Sequence, residues 1–558
     1  MQTTIIKDKK NRKRNRIILF ASILIVLSII AGGFIYWQSN KKHIIEDKLE
    51  AAIRKKSNGL HKISYDNLNL NEKADSLSIT NMHIEYNNAK YENLKLQKKS
   101  PSILFKIHIP QLLISGIKNI KEWSEGITAG KLEIKNPSID LIYTQSENDS
   151  AQNISKSDVY EKIIEGLDEI SVDTLIISGG DLRTNDLATK KQKVTLSNIF
   201  VQMFNVKVDS VSNTDSTRFF FSEKVDFKCA TISWTSANKL YKYGANQVSF
   251  NTATNDALIS KFYINPQLSE DAFVKNLKFQ DDRFHFAFQN ITINDLDVNE
   301  LLNESFIADN INIGKATFKV YRDLTRPRDD VNRVGMYPHQ IFSRIAVPVA
   351  VKKITVNNAF VEYKERNHIT RQSGKVQFYN TTAVITNVVN KKELIANNNV
   401  IRADISSDFL NKTPMKTTWL FYLGNSSGRF DVRGKVESID GQALNPLAEP
   451  MGPSSIEKGK VEALNFDLSG NNYSMNGTVK LLYSDLKVAL LEKDGNKMDK
   501  KNFTSLIANL VIKNSNTEGE NPPLIVQVDN KRNTNRSIFN LSWKTLFKGI
   551  KETLGIKK

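Results

Sequence analysis

One pentapeptide has the spacing of a hydrolase nucleophile: Gly424-Asn425-Ser426-Ser427-Gly428 reads G-x-S-x-G. A nucleophile elbow needs a strand before its serine, a helix after it, and a histidine later in the chain. WLFYL before the pentapeptide reads as a strand, but RFDVRG after it also reads as a strand, and the last histidine, His368, lies upstream. A hairpin turn is therefore expected here. The seven histidines, at 43, 61, 83, 108, 285, 339 and 368, form no HxxxH or HxH pair, so no zinc site is expected. No GxxxxGK[ST] loop is present to cradle phosphate. Asp281-Asp282 and Asp329-Asp330 sit in polar stretches and read as solvated carboxylates. The run RDLTRPRDD (322–330) sets three arginines and three aspartates around Pro327. Its two readings are a lipid-headgroup site and a surface ion-pair loop, with the loop expected. The single cysteine, Cys229, excludes an intramolecular disulfide and a thiolate cluster, and in VDFKCATISW it reads as a half-buried strand residue. No catalytic group, metal or cofactor is expected.

The physical signal is stronger than the chemical one. Ile17 to Trp37 holds twenty-one residues without charge, Asn, Gln or Pro. At about 1.5 Å per residue it spans roughly 30 Å, the thickness of a bilayer's hydrocarbon core. Ile17, Leu24, Leu27 and Ile30 would belong to the membrane anchor, and Tyr36 and Trp37 would close it at the aromatic interface. Apolar residues continue past the small residues Ala31-Gly32-Gly33, which favours a retained anchor over a cleaved signal peptide. Seven basic residues precede the span, so residues 1–16 are expected in the cytoplasm and the bulk of the chain translocated.

The formal net charge of +18 does not make this a nucleic-acid binder. Seven basic residues and one acid lie in residues 1–16, and eight basic residues and one acid in residues 531–558. Excess charge beside apolar stretches at both ends is a membrane-surface pattern.

Two short helices are expected, over 44–56 and 157–170, and a strand runs into a turn at Gly179-Gly180. Elsewhere the apolar period is two. Leu77 and Ile79 are followed by Met82 and Ile84. Phe284, Phe286 and Phe288 precede Ile291 and Ile293, and Val347, Val349 and Val351 precede Ile354 and Val356. Roughly twenty to twenty-five strands follow from this pattern. With no linker to cut the chain, residues 38–536 read as one elongated, curled antiparallel sheet. The fold class is mostly β, with a few short helices. Its apolar face would form a trough, with Phe284, Phe286, Phe288, Val347, Val349 and Val351 as candidate lining.

Residues 537–558 read as a basic amphipathic helix. Phe539, Trp543, Leu546, Phe547, Ile550 and Leu554 fall on one stripe, with Lys544, Lys548 and Lys551 toward the other side. Its expected partner is the membrane or an envelope protein, the rival being the sheet's own core.

Taken in order, the anchor, ISYDNLNL, KLEIKNPSIDLIY, VYRDLTRPRD, VEYKER, LNPLAEP, GKVEALNFDLSG, GTVKLLYSDLKVALLEKDG and SWKTLFKGIKETLG give a chain that resembles the AsmA-like family of Gram-negative envelope proteins, in its Bacteroidetes form. The resemblance implies kinship with TamB-like and chorein-type proteins, whose repeating β-groove carries phospholipid acyl chains. It implies an inner-membrane anchor, a periplasmic bulk, phospholipids as partners, and a part in lipid transport and outer-membrane biogenesis. The alternative is a periplasmic scaffold with a closed β core that assists outer-membrane proteins.

Overall fold

The computed structural model describes residues 57–555, apart from residues 58, 72, 119–125, 145–159, 161–168, 190–191, 369–370, 452–453, 495–496, 501–514 and 519–521. The expected basic tail, the span Ile17–Trp37 and the helix over 44–56 lie outside the described residues, as does most of the helix over 157–170. Glu169 and Ile170 belong to a strand instead. Among the described residues no helix is long and apolar enough to cross a membrane.

The alternating segments form a mostly β fold, divided into two compact units. One unit takes the chain through Thr235 plus Tyr243–Ser260 and Asn294–Ser305; the other takes Ser236–Lys242, Lys261–Ile293 and the chain from Phe306 onward. The first unit holds β1 (His61–Ser64), β2 (Asn67–Asn71), β3 (Ser76–Tyr86), β4 (Ile103–Ser115), β5 (Gly126–Lys135), β6 (Ser138–Tyr143), β7 (Glu169–Asp186), β8 (Gln192–Val208) and β9 (Lys224–Thr235). Strands β10 (Tyr241–Asn251), β11 (Asp256–Pro266) and β12 (Asp282–Asn294) divide between the units.

The expected all-antiparallel sheet is corrected: the sheet is mixed. In the first unit β5 and β6 are antiparallel to β4 but run parallel to β7. In the second, β13 (Phe306–Asp323) runs parallel to β14 (Val349–Arg366). A parallel neighbour requires a crossover of a dozen or more residues, and residues 144–168 and 324–348 supply it. Hydrophobic period reports which face a residue takes and is blind to strand direction.

In the first unit the inward residues line up in continuous cross-strand rows. One row runs Leu77, Ile114, Leu132, Leu175, Met203, Val225, and the next runs Ile79, Leu112, Ile134, Ile177, Val201, Phe227. All twelve of these side chains are buried, Ile114 and Phe227 being the most accessible at 7%. Cys229 is buried too, and burial pushes its thiol pKa up.

Between these rows and the next, the alternation slips. Ile79 and Met82 are three apart, as are Ile109 and Leu112, yet all four are buried. The slips form one crease across five strands. Asn81 (φ 50°) is level with Pro110, and Pro110 with Asn136-Pro137. Asn136 (φ 51°) is level with Gly179 (φ 66°), and Asn198 (φ 52°) lies on the next strand. Asparagine tolerates the left-handed region better than other side-chain-bearing residues, so it can carry such an irregularity. Gly179 suits this level, since its φ is positive and a Cβ there would crowd the side-chain oxygen of Asn136. The expected turn at Gly179-Gly180 is thus a kink inside β7, which continues to Asp186. At the crease a hollow of about 30 Å³ is lined by Ile107, Ile109, Ile134, Ile139, Ile177 and Leu182 among others.

Short helices occupy connections. In α1 (Asn88–Leu96), capped by Asn87, Tyr91 is buried with Leu60, Leu104 and Ile142. The others are α2 (Ser210–Thr214), α3 (Glu270–Lys275), α4 (Val298–Leu302), α5 (Pro338–Phe342), α6 (Lys392–Asn397) and α7 (Asn445–Met451).

The second unit continues through β15 (Ser373–Val389), β16 (Val400–Phe409), β17 (Thr413–Tyr422), β18 (Phe430–Val436), β19 (Ile439–Asp440), β20 (Ser454–Gly470), β21 (Ser474–Asp494), β22 (Lys497–Lys500) and β23 (Val526–Lys531). From β14 to β18 each strand is antiparallel to the next, and β20, β21 and β23 extend the order. A second crease crosses β12 to β15. Phe288 and Ile291, Ile313 and Ala316, Val356 and Ala359, and Phe378 and Thr381 are each three apart, with Asn290 (φ 54°) and Asn380 (φ 48°) in the gaps.

The last helix, α8 (Ile538–Thr553), closes over β21 and β23. Ile538 and Leu541 pack with Val479, Val526 and Val528. Thr545, Gly549 and Thr553 make a narrow stripe on the same side, with both threonine hydroxyls returned to helix carbonyls. A Cβ on Gly549 would lie 2.6 Å from Val479 Cβ, so the backbone approaches the sheet as glycine alone allows. Gly549→Leu is expected to cost about 1–3 kcal/mol through overpacking. Urea denaturation and hydrogen exchange in β21 and β23 check this; unchanged protection would refute the close docking.

Candidate apolar binding face

Cross-strand partners share a face, so the register defines a surface. In the second unit one row runs Ile354, Ile385, Ala403, Trp419, Val432, Leu468, Gly477, Val528. Its neighbour runs Val356, Ala383, Ile405, Thr417, Gly434, Phe466, Val479, Val526. Burial grades along these rows. Beneath α8, Val528, Val479, Leu468 and Val432 are sealed; farther on, Ala403 and Val356 are buried as well, but Trp419, Ile405, Ile385 and Ile354 are only half-buried.

The half-buried stretch continues into the expected phenylalanine cluster. Phe284, Phe286 and Phe288 alternate along β12 and all are half-buried. Phe286 and Phe288 meet Phe318 of β13 edge-on, with ring centroids 5.4 and 5.1 Å apart, and Phe262 lies 6.1 Å from Phe288. Phe288, Ile313 and Phe318 pack against the buried Ala316, Val356 and Ala359. Sequence reasoning named Phe284, Phe286 and Phe288; it did not name their neighbours Phe318 and Phe262, whose place depends on register.

The valines fare differently. Val347 precedes β14, half-buried, its carbonyl accepting from Asn390 Nδ2 at 3.0 Å. Val349 opens the strand and is half-buried, in register with Phe306. Val351 is only 1% exposed. It is core and has no surface to offer a ligand.

The opposite face is polar and internally paired. Ion pairs recur between residues two apart along the chain: Arg402 with Asp404, Lys435 with Glu437, and Lys460 with Glu462. The run 322–330 likewise ties itself down. Arg322 makes a bidentate pair with Asp282, at 2.7 and 2.6 Å, and Arg326 donates to the carbonyl of Val274. Asp329 pairs with Arg333, which holds its carboxyl below the usual range.

The G-x-S-x-G is the turn between β17 and β18, with Gly424 at φ 72° and Gly428 at φ 68°. Ser427 Oγ donates to Asn425 Oδ1 at 2.6 Å. Strand β18, not a helix, follows it. Among the described residues His339, carried by α5, makes no hydrogen bond to the side chain of Ser426 or Ser427. In the first unit the register does bring two histidines together: His83 and His108, level on β3 and β4, stack at 4.3 Å. Among the described residues no group of three His, Cys, Asp or Glu is placed to hold a metal ion.

The expected single stripe on the C-terminal helix is split by the structure. Leu546 packs on the cluster under α8, and Ile550 and Leu554 on the adjoining cluster of Ile439, Val461, Leu481, Tyr483 and Leu486. Phe539, Trp543 and Phe547 stay out, at 65%, 46% and 45% exposed.

Tyr337 and His339 cover one margin of the apolar face, and His339 lies 5.3 Å from Phe421. Arg532 stacks on Tyr337 at 4.2 Å and donates to the carbonyls of Asn472, Arg333 and Arg536, pinning this cover. Burial pushes the His339 pKa from 6.5 down to about 4. The unfolded chain therefore takes up the proton first as pH falls. Stability is complete above pH 6.5 and declines through the window down to pH 4, by as much as about 3 kcal/mol from this residue. His339→Phe is expected to flatten that decline while changing little at pH 7. Urea midpoints at pH 7 and 4.5 test it, and equal acid losses in both proteins would refute it.

Compared with known protein families and with curated proteins, the chain matches no family model and no curated protein.

Proposed function

We propose that the second unit binds phospholipid acyl chains on its half-buried apolar face, in the manner of a β-groove, and that the protein thereby supports lipid transport and outer-membrane biogenesis. The reading places it in the inner membrane through Ile17–Trp37, with its bulk in the periplasm. The single observation that carries it is the strip of Phe284, Phe286, Phe288 and Phe318, which is assembled across strands yet left half-accessible. A closed core would seal such rings, as it seals Leu77 or Leu175. An acyl chain laid on the strip gains about 0.8 kcal/mol for each methylene fully buried, with the headgroup left in water. No covalent chemistry is required. The resemblance to AsmA-like proteins supports the same reading.

The alternative, a scaffold with a closed core, draws on the first unit, whose inward rows are buried. A photoreactive benzoylphenylalanine at position 286 of the full chain separates the two. Irradiation in cells is expected to yield phospholipid adducts at 286 and none at 433 on the polar face, read by mass spectrometry. Phe286→Lys is expected to lower co-purifying phospholipid severalfold. No adduct at 286 in a folded protein would overturn the acyl-chain reading and favour the scaffold.

A further inference from the structure

Helix α8 has two apolar sides with different fates. At about 100° per residue, Ile538, Leu541, Thr545, Gly549 and Thr553 face the sheet and are buried. Phe539, Trp543 and Phe547 recur every fourth residue on the side turned away. The strip is ordered: Trp543 and Phe547 stack at 5.8 Å, and Phe539 meets Trp419 edge-on at 6.0 Å. Next to it around the helix come Lys544 and Lys551, the latter with Nζ 5.3 Å from the Phe547 ring centre. Lys548 is turned farther back, donating to the carbonyl of Asp529.

Three exposed aromatics in one line, on a helix that has already buried its other side, mark an interaction surface. Their composition selects the partner. Aromatic rings settle at headgroup depth, and neighbouring lysines are drawn to anionic lipid by about 1 kcal/mol each. We propose that α8, while still docked on the sheet, rests on an anionic phospholipid surface through Phe539, Trp543 and Phe547, flanked by Lys544 and Lys551. The inference is independent of acyl-chain binding at the sheet: adducts at 286 and surface contact at α8 are separate readouts.

The test uses the full chain in phosphatidylcholine nanodiscs, with Asn540→Cys carrying the dye NBD and Lys412→Cys as control. Cys229 is buried with its thiol pKa raised, which keeps it silent to labelling. Vesicles of phosphatidylcholine with phosphatidylglycerol are titrated in. A blue-shifted rise at 540, absent at 412 and absent with phosphatidylcholine alone, is expected. Lys544→Gln with Lys551→Gln is expected to weaken vesicle affinity about 30-fold, and Trp543→Asp to abolish it with circular dichroism unchanged. Asn530 Nδ2 donates to Thr545 Oγ1 at 3.2 Å, so an Asn530→Cys, Thr545→Cys disulfide staples the helix in place. Vesicle flotation of the stapled protein should match the reduced form. No response at 540, an equal response at 412, loss on stapling, or self-association through the strip instead of vesicle binding would each overturn the proposal.

Discussion

An amphipathic sheet has to cover its apolar face, and everything else in this chain follows from how that is done. Period-two patterning makes one side of each strand apolar and the other charged. The charged side is satisfied locally, by pairs such as Arg402–Asp404 along a strand. The apolar side has no such local remedy. It is removed from water by packing across strands and under helices, and where that packing stops short it stays half-accessible.

The creases are part of the same solution. A sheet that changes course without losing its inner face must drop a residue from the alternation at the same level in neighbouring strands. In the first unit Asn81, Pro110, Asn136-Pro137, Gly179 and Asn198 do so, and in the second Asn290 and Asn380 mark the line. Irregularities of this kind bend strands and increase twist. They also explain why so many asparagines interrupt otherwise regular strands: the side chain is small, polar and tolerant of positive φ.

Function, on this reading, comes from incomplete closure and not from a catalytic constellation. The serine pentapeptide is a turn, the arginine-rich run is tied into ion pairs, and His339 is a core residue. What distinguishes the second unit is a gradient, sealed beneath α8 and half-open at Phe284 to Phe288.

The sequence by itself determined the mostly β class, the approximate number of strands among the described residues and the hairpin at Gly424–Gly428, because alternation and turn chemistry are local. It even marked the creases, as the slips from Ile79 to Met82 and from Phe288 to Ile291. Only the tertiary structure decided that β5, β6 and β13 have parallel neighbours, since direction depends on where a crossover leads. Only it placed Phe318 beside Phe286, sealed Val351, and divided the stripe of α8 into Leu546, Ile550 and Leu554 inside and Phe539, Trp543 and Phe547 outside. A helical stripe wider than the sheet beneath it cannot be buried whole, and which edge is covered depends on the angle at which Gly549 lets the helix settle on Val479.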